Sequence, residues 1–252
     1  MKQTEKAARF AELHVKGAPL VLYNAWDAGS ARAIQEAGAL AVATSSWAMA
    51  KAQGYNDGED IPIGLVEQIV ARIAATVDVP LSVDFEGGYS EDDGEMAENV
   101  TRLLDLGVVG INFEDRIVKG SGLYDIDRQA RRIAALRGAA DRKGIALFIN
   151  ARTDLFFGQG GEPTPSVDEA RHRAEAYAGA GASGFFVPGV RDEALIGRLC
   201  EAVALPVNVL ATSDLPPIQR LSELGIARVS HGHLPYVDAL KALQAEARKL
   251  FS

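Results

Sequence analysis

Eight short apolar segments recur along the chain, and each is followed by a stretch with helical periodicity. The segments are Leu20–Asn24, Leu40–Ser45, Leu81–Glu86, Val108–Glu114, Ala146–Asn150, Gly184–Val187, Val207–Leu210 and Ala227–Ser230. Buried strands that alternate with helices predict a parallel sheet covered by helices. Eight such units in 252 residues predict closure into a (β/α)8 TIM barrel, with one domain spanning residues 1–252.

Glycines mark the ends of the predicted helices, where a left-handed residue suits the C-terminal cap. They are Gly38, Gly107, Gly144, Gly181 and Gly225. Residues 4–16 predict one extra helix ahead of the first strand, placed to cover the bottom of the barrel. The alternative is an open doubly wound sheet, but no phosphate-binding glycine fingerprint begins the first helix.

Composition excludes several classes of partner. The net charge is −8 and the basic residues are spread along the chain, whereas nucleic-acid binding needs a concentrated basic surface. No apolar run approaches the roughly 20 residues of a membrane span. The only cysteine, Cys200, has no partner for an internal disulfide, which favours a reducing compartment. We therefore predict a cytoplasmic protein whose partner is a small molecule.

Acidic side chains follow adjacent predicted strands. Asp84 and Glu86 end the third strand and Glu114 ends the fourth, so their carboxylates should converge. Three anions in one pocket are unfavourable unless a cation neutralises them, and hard oxygen ligands favour Mg²⁺ or Mn²⁺. The alternative is a ring of ion pairs with Arg116 and Arg152.

Arg152 follows the fifth strand and has two possible roles. Its guanidinium could hold a substrate carboxylate through two parallel hydrogen bonds, or it could pair with Glu114. The segment Thr44–Trp47 offers hydroxyl and N–H groups suited to a second carboxylate.

The remaining histidines and loops carry weaker signals. His231 and His233 follow the eighth strand and favour hydrogen bonding at the rim over metal ligation, because no other histidine or cysteine completes a zinc set. His14 and His172 are predicted on the surface of helices. Glycine-containing segments after strands two, four and five could close over a ligand: AKAQGYNDGEDIP, RIVKGSGLYDID and LFFGQGGEPTP.

Six segments together resemble the isocitrate lyase and phosphoenolpyruvate mutase superfamily. They are YNAWDAGSA, TSSWA, QGYND, VDFEGGY, INFED and NARTD, and the resemblance runs from about Leu20 to the final helix. It implies a Mg²⁺ site, with Mn²⁺ as a possible substitute, in which Asp84 binds the metal directly. Asp57, Glu86 and Glu114 would bind it through water.

The resemblance also implies roles around the substrate. Ser45, Ser46 and Trp47 match the loop that binds the substrate carboxylate, and Arg152 matches an arginine on the carboxylate or the departing group. Asn208 matches an asparagine near the substrate. The implied substrate-binding residues are Tyr23, Ser45, Ser46, Trp47, Asp84, Arg152 and Asn208, and the implied catalytic residues are Arg152, Asp57 and Glu114.

Two departures from the superfamily pattern narrow the chemistry. The catalytic cysteine loop of the isocitrate-type lyases is replaced by RIVKGSGLYD, and Pro188 stands where the phosphonate-acting branch has a histidine. The leading hypothesis is a Mg²⁺-dependent lyase that cleaves a C–C bond of a small 2-oxo or 2-hydroxy (di)carboxylic acid through a metal-stabilised enolate, as an oxaloacetate decarboxylase does. The alternatives are a P–C bond enzyme, such as a phosphonopyruvate hydrolase or phosphoenolpyruvate mutase, and a non-catalytic 2-oxo-acid binding protein. The resemblance further implies a homodimer or homotetramer in which subunits exchange the last helix.

Overall fold

A computed structural model describes residues 1–157 and 167–251 and shows eight parallel strands in the order β1-β8-β7-β6-β5-β4-β3-β2. The strands are β1 Leu20–Leu22, β2 Val42–Ala43, β3 Leu81–Asp84, β4 Gly110–Glu114, β5 Phe148–Arg152, β6 Gly184–Phe186, β7 Val207–Leu210 and β8 Arg228–Ser230. The gap between β1 and β2 is bridged by Ala25, whose N–H donates to Ala43 O at 2.8 Å and whose carbonyl accepts from Ser45 N at 3.0 Å. The fold is therefore a (β/α)8 TIM barrel, as the strand–helix repeat predicts.

Helices surround the barrel and separate successive strands. Within the described ranges they are α1 Gln3–Glu12, α2 Ala28–Glu36, α3 Ser46–Ala52, α4 Ile63–Ala74, α5 Asp93–Asp105, α6 Ile126–Arg142, α7 Val167–Gly179, α8 Glu193–Ala202, α9 Ile218–Glu223 and α10 Leu234–Phe251. The five predicted capping glycines all have positive φ, between 68° and 101°. In these ranges no helix combines the length and apolar character needed to cross a membrane.

Most strand boundaries differ from the prediction by one or two residues, and two of these differences lie at the cavity described below. The segment after β2 begins as the helix α3 rather than as a loop, because the Ser45 hydroxyl caps its first turn by accepting from Ala48 N at 3.3 Å. β5 begins two residues later than predicted and includes Arg152, which pairs in register with Glu114 of β4.

The helix α1 covers the bottom of the barrel, as predicted. Phe10 is fully buried, and its ring lies 5.4 Å from that of Phe148. Gly110 leaves room for this ring, since a Cβ there would come within 2.5 Å of it. Gln3 ties the start of the helix down by donating to Leu104 O at 2.7 Å.

The prediction that His14 lies on the surface is wrong. The chain leaves α1 inward, and the imidazole stacks on Phe148 with 3.9 Å between ring centroids. Burial, followed by the nearby charge of Arg228, lowers the pKa of His14 to about 3. His14 is therefore a neutral part of the barrel bottom, while His172 is exposed as predicted.

The middle of the barrel is filled by polar side chains from alternate strand positions. TIM barrels usually fill this layer with branched apolar residues. Here every member of the layer is at most 5% exposed: Asn112, Asn150, Asn208, Arg228 and Ser230.

The last helix, α10, extends away from the barrel after its first turn. Tyr236 packs its ring at 5.3 Å from Trp26 and 6.0 Å from Trp47, but Pro235 is the only buried residue of the helix. The exchange of this helix between subunits stays a prediction.

Candidate functional site

A cavity of about 300 Å³ lies at the carboxyl ends of the strands. The ends of strands β3, β4 and β5 supply three of its four acids and two arginines, Arg116 and Arg152, and the segment around α3 supplies one wall. Eight of the predicted site residues line it: Ser45, Ser46, Trp47, Asp57, Asp84, Glu86, Glu114 and Arg152.

Asp84 is held by the segment that follows β2. Its Oδ2 accepts hydrogen bonds from Ser46 N at 3.0 Å and from Ser46 Oγ at 2.7 Å. The Ser46 hydroxyl therefore orients the carboxylate that is predicted to bind the metal directly. Because the Ser45 hydroxyl caps α3, both serine hydroxyls have partners within the protein.

Glu86 lies in a tight turn just after β3 with φ at 49°, a left-handed conformation uncommon outside glycine. Its carboxylate accepts from Glu59 N at 3.0 Å and from the Tyr89 hydroxyl at 3.1 Å. Burial, followed by the negative charges of Asp84 and Glu114, raises the pKa of Glu86 to about 8.

Arg152 is paired on both sides. Its Nη1 lies 2.8 Å from Glu114 Oε2, and its Nε and Nη2 donate to the Asp154 carboxylate at 2.5 and 2.8 Å. Burial raises the pKa of Glu114, although the Arg152 charge opposes this. The pairing with Glu114 is the alternative that the sequence left open. Since the Nε–Nη2 edge of the guanidinium already holds Asp154, a substrate must bind its remaining N–H groups or displace that carboxylate.

Asp57 reaches the cavity from the loop after α3. Burial, followed by the charge of Asp84, raises its pKa. Four acids thus face one space, and three of them have pKa values raised by burial and mutual repulsion.

This donor set fits a hard divalent cation held mainly through water. In residues 1–157 and 167–251, no group of three or more His, Cys, Asp or Glu side chains is arranged to hold a metal directly. One direct carboxylate with the others at the distance of a water layer is a common way to bind Mg²⁺, which dehydrates reluctantly. Asp84 would then be the direct ligand, and Asp57, Glu86 and Glu114 would accept from bound water.

Two predicted substrate-binding residues lie outside the cavity. Tyr23 is 44% exposed and packs its ring on His231 at 5.2 Å. Asn208 lies beneath the floor, where its Nδ2 donates to Ser230 Oγ at 3.2 Å. His233, by contrast, lines the cavity beside Trp47, with 5.0 Å between ring centroids.

Asp115 supports the site from behind. It is fully buried and accepts from Tyr177 Oη at 2.9 Å, Arg173 Nη1 at 3.1 Å and Asp154 N at 3.1 Å. The two neighbouring acids at the end of β4 therefore have different roles. Glu114 faces the cavity, whereas Asp115 fixes the backbone that carries Asp154.

The structure describes only part of the glycine-containing segments that are predicted to close over a ligand. The segment after β4 borders a second cavity of about 220 Å³, with Lys119 and Tyr124 in its wall. Of the segment after β5, Phe157 lines the main cavity, and residues 158–165 lie outside the described residues.

Sequence reasoning did not identify Asn112, which lines the cavity floor. The available signal was the two-residue period of GINFE, which places Gly110, Asn112 and Glu114 on one face of β4. Arg228, buried beneath the floor, was also missed.

The names of similar proteins refer to enzymes that act either on C–C bonds or on P–C bonds. A crystal structure of a candidate phosphonomutase from Burkholderia cenocepacia J2315 is 45% identical, with a TM-score of 0.94 over 98% of this chain and 99% of that one. A probable 2-methylisocitrate lyase from Corynebacterium glutamicum is 31% identical over 78% of this chain and 64% of its own length. The oxaloacetate decarboxylase of Ectopseudomonas mendocina is 32% identical over 70% of this chain and 60% of its own length.

Similarity also extends over nearly the whole chain. An uncharacterized protein of Mycobacterium tuberculosis is 35% identical over 95% of this chain and 87% of its own. The phosphoenolpyruvate phosphomutase family description matches residues 10–251. The acidic cavity at the strand ends is consistent with these matches. The chain belongs to the phosphoenolpyruvate phosphomutase family, within the isocitrate lyase and phosphoenolpyruvate mutase superfamily.

Proposed function

We propose that this protein is a Mg²⁺-dependent lyase that cleaves a C–C bond of a small 2-oxo or 2-hydroxy dicarboxylic acid, and that its main reaction is decarboxylation of an oxaloacetate-like acid. The observation that carries the proposal is the set of four carboxylates around one cavity, one of which, Glu114, is paired with Arg152. Burial, followed by the negative charge of Asp84, raises the pKa values of Asp57 and Glu86, so a cation in the cavity would stabilise their ionised forms.

In decarboxylation the C3–C4 bond breaks, its electron pair moves toward the 2-oxo group and CO₂ leaves. A divalent cation held at Asp84 would stabilise the negative charge that develops on the 2-oxo oxygen. Arg152 has N–H groups beyond those used by Glu114 and Asp154, and these can orient the carboxylate of the acid. Phe157, Phe186 and Leu210 form an apolar wall that limits water near the reacting carbon.

The absence of a nearby thiol favours this reaction over isocitrate-type cleavage. Cys200, the only cysteine, is buried in α8 on the outer ring of helices, where burial raises its pKa to about 11. Such a thiol is neither near the cavity nor activated. Loss of CO₂ needs no acid to protonate a leaving group at that step.

Phosphorus–carbon bond chemistry is the second candidate, since the 45% identical relative is described as a candidate phosphonomutase. Against it, Pro188 lines the cavity at the position where the resemblance to the superfamily implies a histidine in the phosphonate-acting branch.

A panel of 2-oxo acids, including oxaloacetate and phosphonopyruvate, would test the proposal. Protein stripped with EDTA and reloaded with Mg²⁺ or Mn²⁺ should form pyruvate and CO₂ from oxaloacetate, and it should release no phosphate from phosphonopyruvate. Because oxaloacetate loses CO₂ slowly on its own, rates are compared with those of Asp84→Asn. Phosphate release from phosphonopyruvate would favour the second candidate, and ligand binding without turnover would favour a binding protein.

A further inference from the structure

The cavity floor rests on a buried arginine that, within residues 1–157 and 167–251, has no carboxylate among its hydrogen-bond partners. Arg228 is fully buried, and its Nε and Nη2 donate to Ser230 Oγ at 3.0 Å and Asn112 Oδ1 at 3.1 Å. Its Nη1 has no hydrogen-bond partner among the described residues. Both partners of Arg228 line the cavity, so the arginine fixes the floor from below.

Two donors determine the orientation of the Asn112 amide. Its Oδ1 accepts from Arg228 Nη2 and also from Asn150 Nδ2 at 2.9 Å. Exchanging the oxygen and nitrogen would set N–H groups against N–H groups, so the network fixes which atom is which.

The amide nitrogen of Asn112 is left for a ligand. Within the described part of the chain no group accepts a hydrogen bond from it, yet it is not among the fully buried atoms that lack a partner. Asn112 pairs in register with Asp84 on the neighbouring strand. The free N–H groups therefore lie beside the carboxylate predicted to bind the metal.

We propose that Asn112 is a substrate-binding residue that donates from Nδ2 to an oxygen of a 2-oxo acid at the cavity floor. Arg228 and Asn150 are positioning residues that hold the amide for this contact. The inference rests on the proposed function and adds to it a recognition element for the planar, oxygen-rich end of the substrate. A neutral hydrogen-bond donor suits the cavity floor, because it binds an anionic oxygen of the substrate without forming an ion pair with the surrounding acids.

Asn112→Asp removes the donor and keeps the rest of the network. The new carboxylate still accepts from Asn150 and gains an ion pair with Arg228, so the thermal unfolding temperature should stay equal or rise. Oxalate serves as the probe, since it presents the same planar O–C–C–O edge as a 2-oxo acid. In Mg²⁺ buffer, calorimetry should show oxalate binding weakened at least about ten-fold, and KM for the best 2-oxo acid should rise more than kcat falls.

Arg228→Met provides a control matched in charge, because both variants lower the charge of the floor network by one. It keeps Asn112 and its bond to Asn150, so oxalate binding should weaken only about two- to five-fold, as expected for partial loss of orientation. Ser82→Ala controls for disturbing the barrel interior, since the Ser82 hydroxyl is buried without a partner; this variant should bind oxalate like wild type. Mg²⁺ affinity is measured separately for each variant.

The outcomes separate the inference from the proposed function. If Asn112→Asp and Arg228→Met weaken oxalate equally, Asn112 acts only through charge and the inference is wrong. Wild-type affinity in Asn112→Asp would also overturn it, while leaving the proposed function intact. If the wild-type protein neither binds oxalate nor turns over any 2-oxo acid, the proposed function fails and the inference fails with it.

Discussion

Glu86 is a buried acid surrounded by other acids, so the folded protein holds its proton more tightly than the unfolded chain does. The pKa of this group is raised from 4.5 to about 8. Between these values the folded state binds more protons, and stability therefore falls as the pH rises from about 4.5 to about 8.

Glu86→Gln should remove the contribution of Glu86 to this pH dependence in the metal-free protein. The amide keeps an acceptor for Glu59 N and can donate to Tyr89, but it has no charge to repel Asp84. In EDTA we expect the variant to exceed wild type in unfolding free energy by a few kcal/mol at about pH 9, with little difference near pH 5. Urea titrations at both pH values measure this, and equal midpoints at the higher pH would contradict the repulsion argument.

Asp84→Asn tests the metal assignment with little change of shape. The amide oxygen can still accept from Ser46, while the charge that raises the pKa values of Asp57 and Glu86 is gone. We expect calorimetry to show no Mg²⁺ binding, and decarboxylation to fall to background. The metal-free unfolding temperature should be unchanged or higher. Ser82→Ala, on the same strand, is the control, and wild-type Mg²⁺ affinity in Asp84→Asn would refute the direct-ligand role.

For single side chains, the sequence predicts where a site residue lies better than it predicts which residues it hydrogen-bonds. Strand alternation and the carboxyl-end rule place Asp84, Glu86 and Glu114 together without any coordinates. They do not reveal that Asp154 binds the Nε–Nη2 edge of Arg152, because that contact depends on how Asp115 fixes the backbone after β5. Asn112 was missed because GINFE is an otherwise largely apolar strand.

The eight strands and their helices could be predicted because their signals are local. An apolar run of strand length and a glycine at a helix end both act within a few residues, and all five predicted glycines adopt the expected backbone conformation. His14 was misplaced for the opposite reason. Only the docking of α1 under the barrel, far from it in sequence, buries that ring against Phe148.

Phe10 anchors α1 at the end of the barrel away from the cavity, so its role should be in stability alone. Phe10→Ala should lower the unfolding free energy by about 3–5 kcal/mol, because Gly110 leaves a space that only this ring fills. The activity of the folded fraction and its oxalate affinity should not change. Val15→Ala, at an exposed position just beyond the helix, is the control. A loss of kcat in folded Phe10→Ala would show that the barrel bottom influences the site.

At the scale of the whole molecule, α10 has an apolar surface that its own barrel does not cover. The helix has 18 residues and is about 27 Å long, yet Leu240, Leu243, Leu250 and Phe251 are all exposed. An exposed apolar stripe of this length is unusual for a monomer and typical of an interface. We propose that a second copy of this chain covers it, as subunit exchange of the last helix would require.

The double variant Leu243→Lys, Leu250→Lys should therefore dissociate the oligomer. Two buried lysines at an apolar interface are strongly unfavourable, whereas on a free helix they are harmless. Light scattering during gel filtration should give a multiple of the chain mass for wild type and a smaller multiple for the variant. Leu40→Lys introduces the same charge at another exposed leucine and should not change the assembly. A wild-type protein with the mass of one chain, or a variant of unchanged mass, would show that α10 is not the interface.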